Sequence, residues 1–162
     1  MSVVAEVRRS PGAKLVSRLL HSYFLATRGL TIGVRAVVRS DDGKFLMVRH
    51  TYTPGWHFPG GGVERNETIE HALGNELFQE TGLRLKCRPV LHGAFFNSGV
   101  STRDHVLTYL CEAEGQVRSG GNSLEIAEVG YFSLDALPVG IDPGTLRRMR
   151  EIAEGQEVSV EW

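Results

Sequence analysis

The sequence predicts an α/β fold with strands dominating the middle of the chain, and three observations carry that expectation. Strand-like runs bounded by turn residues recur between residues 31 and 132. A well-bounded helix interrupts them directly after a Pro- and Gly-rich loop, and a second helix that opens on Pro143 closes the series. At 162 residues the chain fits one domain able to bury a sizeable core. With Lys+Arg 18 against Asp+Glu 19, it has no bulk field to draw nucleic acid or a membrane surface. An anionic small-molecule substrate would therefore need a local site of cations and metal.

The first element is expected to be an amphipathic helix within residues 1–29, because Leu15, Leu19, Leu20 and Tyr23 recur at helical spacing and Gly29 follows as a stop. Its apolar stripe calls for docking, either on the chain's own domain or across a homodimer. The segment is also rich in Arg and Lys, a composition that suits a mitochondrial leader, but a folded helix is the preferred reading. Arg18 and His21 interrupt its apolar run, which argues against a signal-peptide core, and no run approaches the ~18 residues of a membrane span. The expected setting is cytoplasmic. Cys87 and Cys111 show neither CxxC nor zinc spacing, which predicts two buried thiols in a reducing compartment.

Residues 30–155 are expected to form the main domain and 156–162 a tail. Thr31–Arg39 and Lys44–His50 are strand-like and joined by Asp41-Asp42-Gly43, a hairpin signal. Thr51–Gly62 reads as loop. Asn66 is a suitable N-cap for a helix over Glu67–Thr81, with Gly82 ending it. Leu83–Phe96, His105–Glu114 and a run near Glu128–Phe132 read as strands, the last preceded by a loop over Gly115–Ser123, and Pro143–Glu154 as the final helix.

On a helical wheel Ile69, Leu73 and Leu77 form an apolar stripe, and Glu76 and Glu80 fall beside it, not on the solvated side. Two carboxylates at i and i+4 repel by a few tenths of a kcal/mol, and the cost rises as each loses water. A hard divalent cation is the natural compensation, since Mg²⁺ takes one or two carboxylates with phosphate oxygens and water. The alternative is that both side chains simply reach solvent at the stripe's edge. Pro59-Gly60-Gly61-Gly62 just ahead allows close backbone approach and presents amides near a helix N-terminus, an arrangement suited to anions.

Taken together, these residues resemble a Nudix box, Gly-x5-Glu-x7-Arg-Glu-U-x-Glu-Glu-x-Gly-U, where U is a bulky aliphatic residue. It can be laid over Gly61, Glu67, Asn75, Glu76, Leu77, Gln79, Glu80, Gly82 and Leu83, with seven of nine defined positions matching. The flanks His50–Glu64 and Glu125–Pro138 are similar to those of the same family, and the resemblance covers roughly residues 30–150. It implies an α/β/α sandwich around a mixed sheet. It also implies a Mg²⁺-dependent hydrolase (Mn²⁺ also serving) that directs water at the diphosphate of a nucleoside diphosphate linked to another moiety. By the same resemblance the catalytic residues are Glu80, a metal ligand, and Glu76, a ligand or the group that takes a proton from water; Gln79 occupies a weakened ligand position, and the backbone of Gly60 and Gly61 adds oxygens. Glu67 is a helix-start or supporting residue. Asn75 stands where the family has an arginine that braces the catalytic glutamate, and Gln79 where it has a metal-binding glutamate.

Outside the box, Arg35 and Arg49 lie on strands toward the cleft and suit phosphate, with a surface salt bridge as the alternative for each. Trp56 and Phe58 suit a base or sugar but suit the core better. Arg103, Asp104 and His105 form a polar group, and Asp104 or Glu125 is a candidate auxiliary base or ligand. Gln79→Glu is expected to lower the metal requirement about tenfold, unless such an acid already serves the site. No residues downstream of the box mark a particular substrate. The loss of the arginine and one glutamate supports a second reading, a Nudix-fold nucleotide-binding or regulatory module without catalysis.

Overall fold

A computed structural model describes residues 20, 22–24, 28–118 and 125–162. The chain forms two compact units, Met1–Leu30 and Thr31–Trp162. In the first, Leu20 and residues 22–24 are helical, and the Arg28 amide donates to the Phe24 carbonyl at 2.7 Å in the helical i to i−4 pattern. Leu15 and Leu19, on which the expected docking stripe depends, lie outside the described residues, as does most of the second half of the Gly115–Ser123 loop.

The second unit contains β1 (Thr31–Val38), β2 (Phe45–His50), β3 (Trp56–His57), α1 (Ile69–Thr81), β4 (Arg84–Leu85), β5 (Val90–Phe96), β6 (Asp104–Cys111), β7 (Ala113–Glu114), β8 (Ile126–Phe132) and α2 (Pro143–Glu154). β1 pairs in parallel with β6, and β6 antiparallel with β5; β2 lies between β3 and β8, antiparallel to both; β4 pairs with β7. One mixed and one antiparallel three-stranded sheet, with a helix over each core, give the expected α/β/α sandwich. Val34, Ala36, Val38 and Leu46 join Leu73 and Leu77 of α1 in one core. The residues between them in sequence, Val37, Phe45 and Met47, join Met149 of α2 in the other. Burial on both faces is why β2 reads as a continuous apolar run instead of an alternating one.

The expected hairpin is only a turn. Ser40 and Lys44 close it (N to O, 2.9 Å) and Arg39 bridges Phe45, but β1 and β2 then separate into different sheets. The reason lies in the partners. β6 takes one edge of β1, and the glycine loop takes the other. Ala36 donates to Pro59 O at 2.8 Å, Val34 to Gly61 O at 2.9 Å, and Val63 to Ile32 O at 2.9 Å. The segment read as loop is thus partly an extended run laid along β1, and it also contributes β3.

The helix starts two residues later than expected. Thr68, not Asn66, is the N-cap and accepts from the His71 amide at 3.2 Å. Asn66 instead holds a left-handed turn at φ 63°, a conformation asparagine tolerates. Gly82 ends the helix as expected, its amide bonded to Phe78 O at 2.9 Å. The run Leu83–Phe96 splits into β4 and β5 just before Val90, where Pro89 has no amide for a ladder. Cys111 is buried but Cys87 is exposed, correcting the expectation of two buried thiols. No helix among the described residues is long and apolar enough to cross a membrane.

The segment set down as a tail also returns to the body. Phe96 donates to Val160 O and Trp162 to Phe96 O, both at 2.9 Å, alongside β5. Arg148 of α2 anchors it. Fully buried, Arg148 lies 3.8 Å over the Phe95 ring and donates to both Glu151 carboxylate oxygens (2.7 and 2.5 Å) and to Glu161 O (3.0 Å).

Candidate active site

The loop–helix junction is built around two glycines. Gly60 sits at φ 146°, and a Cβ there would overlap the Val34 carbonyl, so no other residue fits without moving β1. Its amide donates to Glu80 Oε2 at 2.7 Å, and its carbonyl accepts from the Arg35 guanidinium. Glu76 lies against Gly61, where a Cβ would stand 2.5 Å from Oε1. Glycine spacing and helix spacing together therefore bring Gly60, Gly61, Glu76, Glu80 and Arg35 into one place.

The electrostatics of that place are unusual. Burial pushes Glu80 up to about 8, with the Glu76 and Glu125 charges adding to it and the Gly60 amide and Arg35 opposing it. Burial also raises Glu76, with Arg35 opposing and Glu125 and Glu67 adding. His50, 3.3 Å from Glu80 Oε1, is lowered to about 4 by burial and by the Arg35 and His57 charges. Both shifts disfavour the charged forms, so the contact has little ion-pair character. Tyr52 stands within reach of the same three carboxylates, its phenol raised by burial and then by Glu125, Glu80 and Glu76.

The remaining sequence candidates divide. Gln79 is exposed on the helix next to Glu80. Arg49 is engaged elsewhere: its guanidinium pairs with Glu128 and lies 6.0 Å from the Trp56 ring centre. Trp56 and Phe58 are core residues. Asp104 accepts from Thr31 Oγ1 at 2.6 Å and Asn97 Nδ2 at 2.8 Å, so it pins a strand start, whereas Glu125 acts on both site carboxylates. Asn75 does reach a glutamate, but that glutamate is Glu67 (3.1 Å), which also contacts His71 Nδ1 at 2.9 Å and accepts from the Glu64 amide at 3.2 Å. The asparagine thus braces the helix entry, and Glu76 is held without it. The Gly60 and Gly61 carbonyls already accept from Arg35 and Val34, and each oxygen keeps a second lone pair.

Sequence reasoning missed His50, which a bulge between Arg49 and His50 aims at Glu80. It also missed a cavity of about 380 Å³ that Arg35 lines together with His57, Asn97, Asp142, Arg147 and Trp162 among others. Trp162 is held there because the α2 residue beneath it is Gly144, at which a Cβ would overlap the indole. Glycine to alanine ordinarily stabilises a helix. Here Gly144→Ala is expected to displace the indole, lower stability by about 1–2 kcal/mol and shift tryptophan emission. A more stable variant with unchanged emission would refute this seating.

The fold and site define an α/β sandwich in which a glycine loop and one helix hold a buried and a half-buried carboxylate beside an arginine. The chain belongs to the family of the NUDIX domain, whose profile matches residues 29–153. It is 34% identical to a MutT-like protein of Streptomyces ambofaciens over 106 residues, 65% of either chain. It is 46% identical to an RNA pyrophosphohydrolase of Halorhodospira halophila over 55 residues, 34% of this chain and 30% of that one. The match therefore spans less than two thirds of either relative. The crystal structure of a MutT NUDIX hydrolase from Burkholderia pseudomallei shares the fold, with a TM-score of 0.66 at 24% identity over 76% of this chain and 98% of that one.

Proposed function

We propose that this chain hydrolyses a diphosphate linkage in a small nucleotide-like substrate with the aid of Mg²⁺ or Mn²⁺. The observation that carries the reading is the convergence of Glu76 and Glu80 on the glycine loop beside Arg35. The donor set fits a hard cation: besides burial, the Glu125 charge raises both Glu76 and Glu80, the Glu76 charge adds to the rise at Glu80, and Arg35 opposes it at both. Among the described residues no ready-made group of three His, Cys, Asp or Glu ligands occurs. Mg²⁺ does not need one, because it binds through one or two carboxylates with water and phosphate oxygens completing its shell.

Glu80 and Glu76 would hold the cation, with Gln79 or Glu125 contributing at its outer side. When bound, the cation supplies charge neutralisation at the diphosphate and a more acidic water. Glu76, half-buried and free of any tight ion pair, takes the proton of the attacking water at its carboxylate. Arg35 reaches a phosphate oxygen from the floor of the site, and the cavity beyond it receives the rest of the substrate, with Trp162 offering a ring face and Arg147 a charge. The setting is taken as cytoplasmic.

A release assay for phosphate and pyrophosphate over nucleotide sugars, nucleoside triphosphates and dinucleotides, with and without Mg²⁺, tests the proposal. Metal-dependent turnover is expected. Stabilisation by a nucleotide with no turnover of any compound would instead favour the binding module that Asn75 and Gln79 suggest.

Because Glu125 already acts on both carboxylates, the site has a third acid. Glu125→Gln is therefore expected to raise the half-saturating Mg²⁺ concentration about tenfold. Gln79→Glu should change it less than about threefold, not the tenfold expected from the box alone. Metal titrations of the two variants separate these outcomes. A large gain from Gln79→Glu with no loss from Glu125→Gln would restore the simpler expectation.

A further inference from the structure

Cys87 and Cys111 take no part in the acid site, yet the strand register sets them against each other. β4 and β7 pair antiparallel, Arg84 with Glu114 and Leu85 with Ala113. The same register continued puts Lys86 opposite Glu112 and Cys87 opposite Cys111. It continues as far as Lys86, one residue short of Cys87, where the Lys86 amide donates to the Glu112 carbonyl at 2.9 Å. Directly opposed residues in an antiparallel ladder project to the same side, with Cα atoms about 4.5 Å apart in an open pair and about 5.5 Å in a hydrogen-bonded one. Disulfides span Cα separations of roughly 4.4–6.8 Å, so either case can be bridged.

Two further observations agree. Both cysteines line one cavity of about 540 Å³. The Cys111 thiol, pushed up to about 12 mainly by burial, is close enough to feel the charge of Cys87. The two also differ in access, with Cys87 exposed and Cys111 buried. That difference orders the chemistry, because an exposed thiol meets a small oxidant first and a buried one reacts only with what is delivered to it.

We propose that Cys87 and Cys111 form a redox modification site that closes a reversible intramolecular disulfide by exchange with a low-molecular-weight disulfide such as oxidised glutathione. The Cys87 thiolate attacks one sulfur of the glutathione disulfide, forming a mixed disulfide and expelling one glutathione thiolate. Cys111 then gives up its proton, and its sulfur attacks the Cys87 sulfur and expels the second glutathione. Two protein thiols are oxidised to one disulfide, one glutathione disulfide is reduced to two thiols, and the protons pass to the glutathione thiolates. The closed bond ties the strand leaving α1 to the end of β6 and removes freedom from the unfolded chain.

The test uses the full chain, incubated with excess oxidised glutathione, quenched with an alkylating agent, and examined by intact mass and a non-reducing peptide map. The expected product has lost two hydrogens, carries no glutathione, and yields a linked Cys87–Cys111 peptide that dithiothreitol releases. Its melting temperature should rise by about 5–10 °C. Cys111→Ala should stop at the mixed disulfide, with glutathione retained on Cys87. Wild-type protein that also retains glutathione on Cys87, or that keeps both thiols free, would overturn the proposal.

Discussion

Arg148→Ala is expected to remove about 3–5 kcal/mol of stability, the cost of leaving a buried partner charge alone, and to lower Tm by roughly 8–15 °C. Arg148 is fully buried, and Glu151 beneath it is nearly so. Besides Arg148, Glu151 accepts from the Ser159 amide at 2.9 Å and contacts His92 Nε2 at 3.0 Å. Burial alone would raise the Glu151 carboxyl; the hydrogen bonds from Arg148, Ser159 and His92 outweigh it and hold the group below its ordinary 4.5. A depressed carboxylate contributes stability above its unfolded value, and that contribution is lost as pH falls through the folded one. The wild type should therefore lose this contribution only below about pH 4.5. The variant's deficit should be largest at neutral pH and shrink in acid, where Glu151 can protonate.

Denaturant unfolding of Arg148→Ala across pH 4 to 8 reads this directly. The double variant Arg148→Ala/Glu151→Ala should cost less than the sum of the two single changes, since each single change strands the other's partner. A loss below about 1 kcal/mol, or one independent of pH, would mean that the pair contributes packing alone. The segment 156–162 should be released in the same variant, because Arg148 also holds the Glu161 carbonyl.

The second large effect is on catalysis. Glu80→Gln is expected to lower kcat at least a hundredfold, about 2.7 kcal/mol in the barrier, while stability stays within about 1 kcal/mol of wild type or improves slightly. The amide has the shape of a protonated carboxyl, which is the form that burial favours for Glu80. It can still accept from the Gly60 amide and now donates to His50. What it lacks is the charge a cation needs. Mg²⁺ should accordingly raise the melting temperature of the wild type and not of the variant. Near-normal turnover together with a large fall in Tm would make Glu80 a structural residue and remove the centre of the proposed mechanism.

The sequence by itself determined the family and the local devices. Box spacing from Gly61 to Leu83, the helix stop at Gly82 and the proline start of α2 all depend on neighbours within a turn or two, where periodicity and glycine or proline chemistry are decisive. The carboxylate pair was legible for the same reason, since i and i+4 share a helix face whatever the rest of the chain does.

The tertiary structure decided everything that depends on which strand lies beside which. The Asp41-Asp42-Gly43 turn was readable, but not that β1 would leave β2 for β6, because that choice rests on the whole two-sided core. Arg35 and Arg49 looked alike as single basic residues on adjacent strands, yet one lies against the glycine loop and the other is engaged by Glu128. Glu125 and Asp104 were equal candidates until β8 brought one to the carboxylates and Thr31 with Asn97 occupied the other. His50, Arg148 and Trp162 carry no local signal at all. Their roles come from a bulge, a buried charge and a returning strand, and each exists only through contacts between residues far apart in sequence.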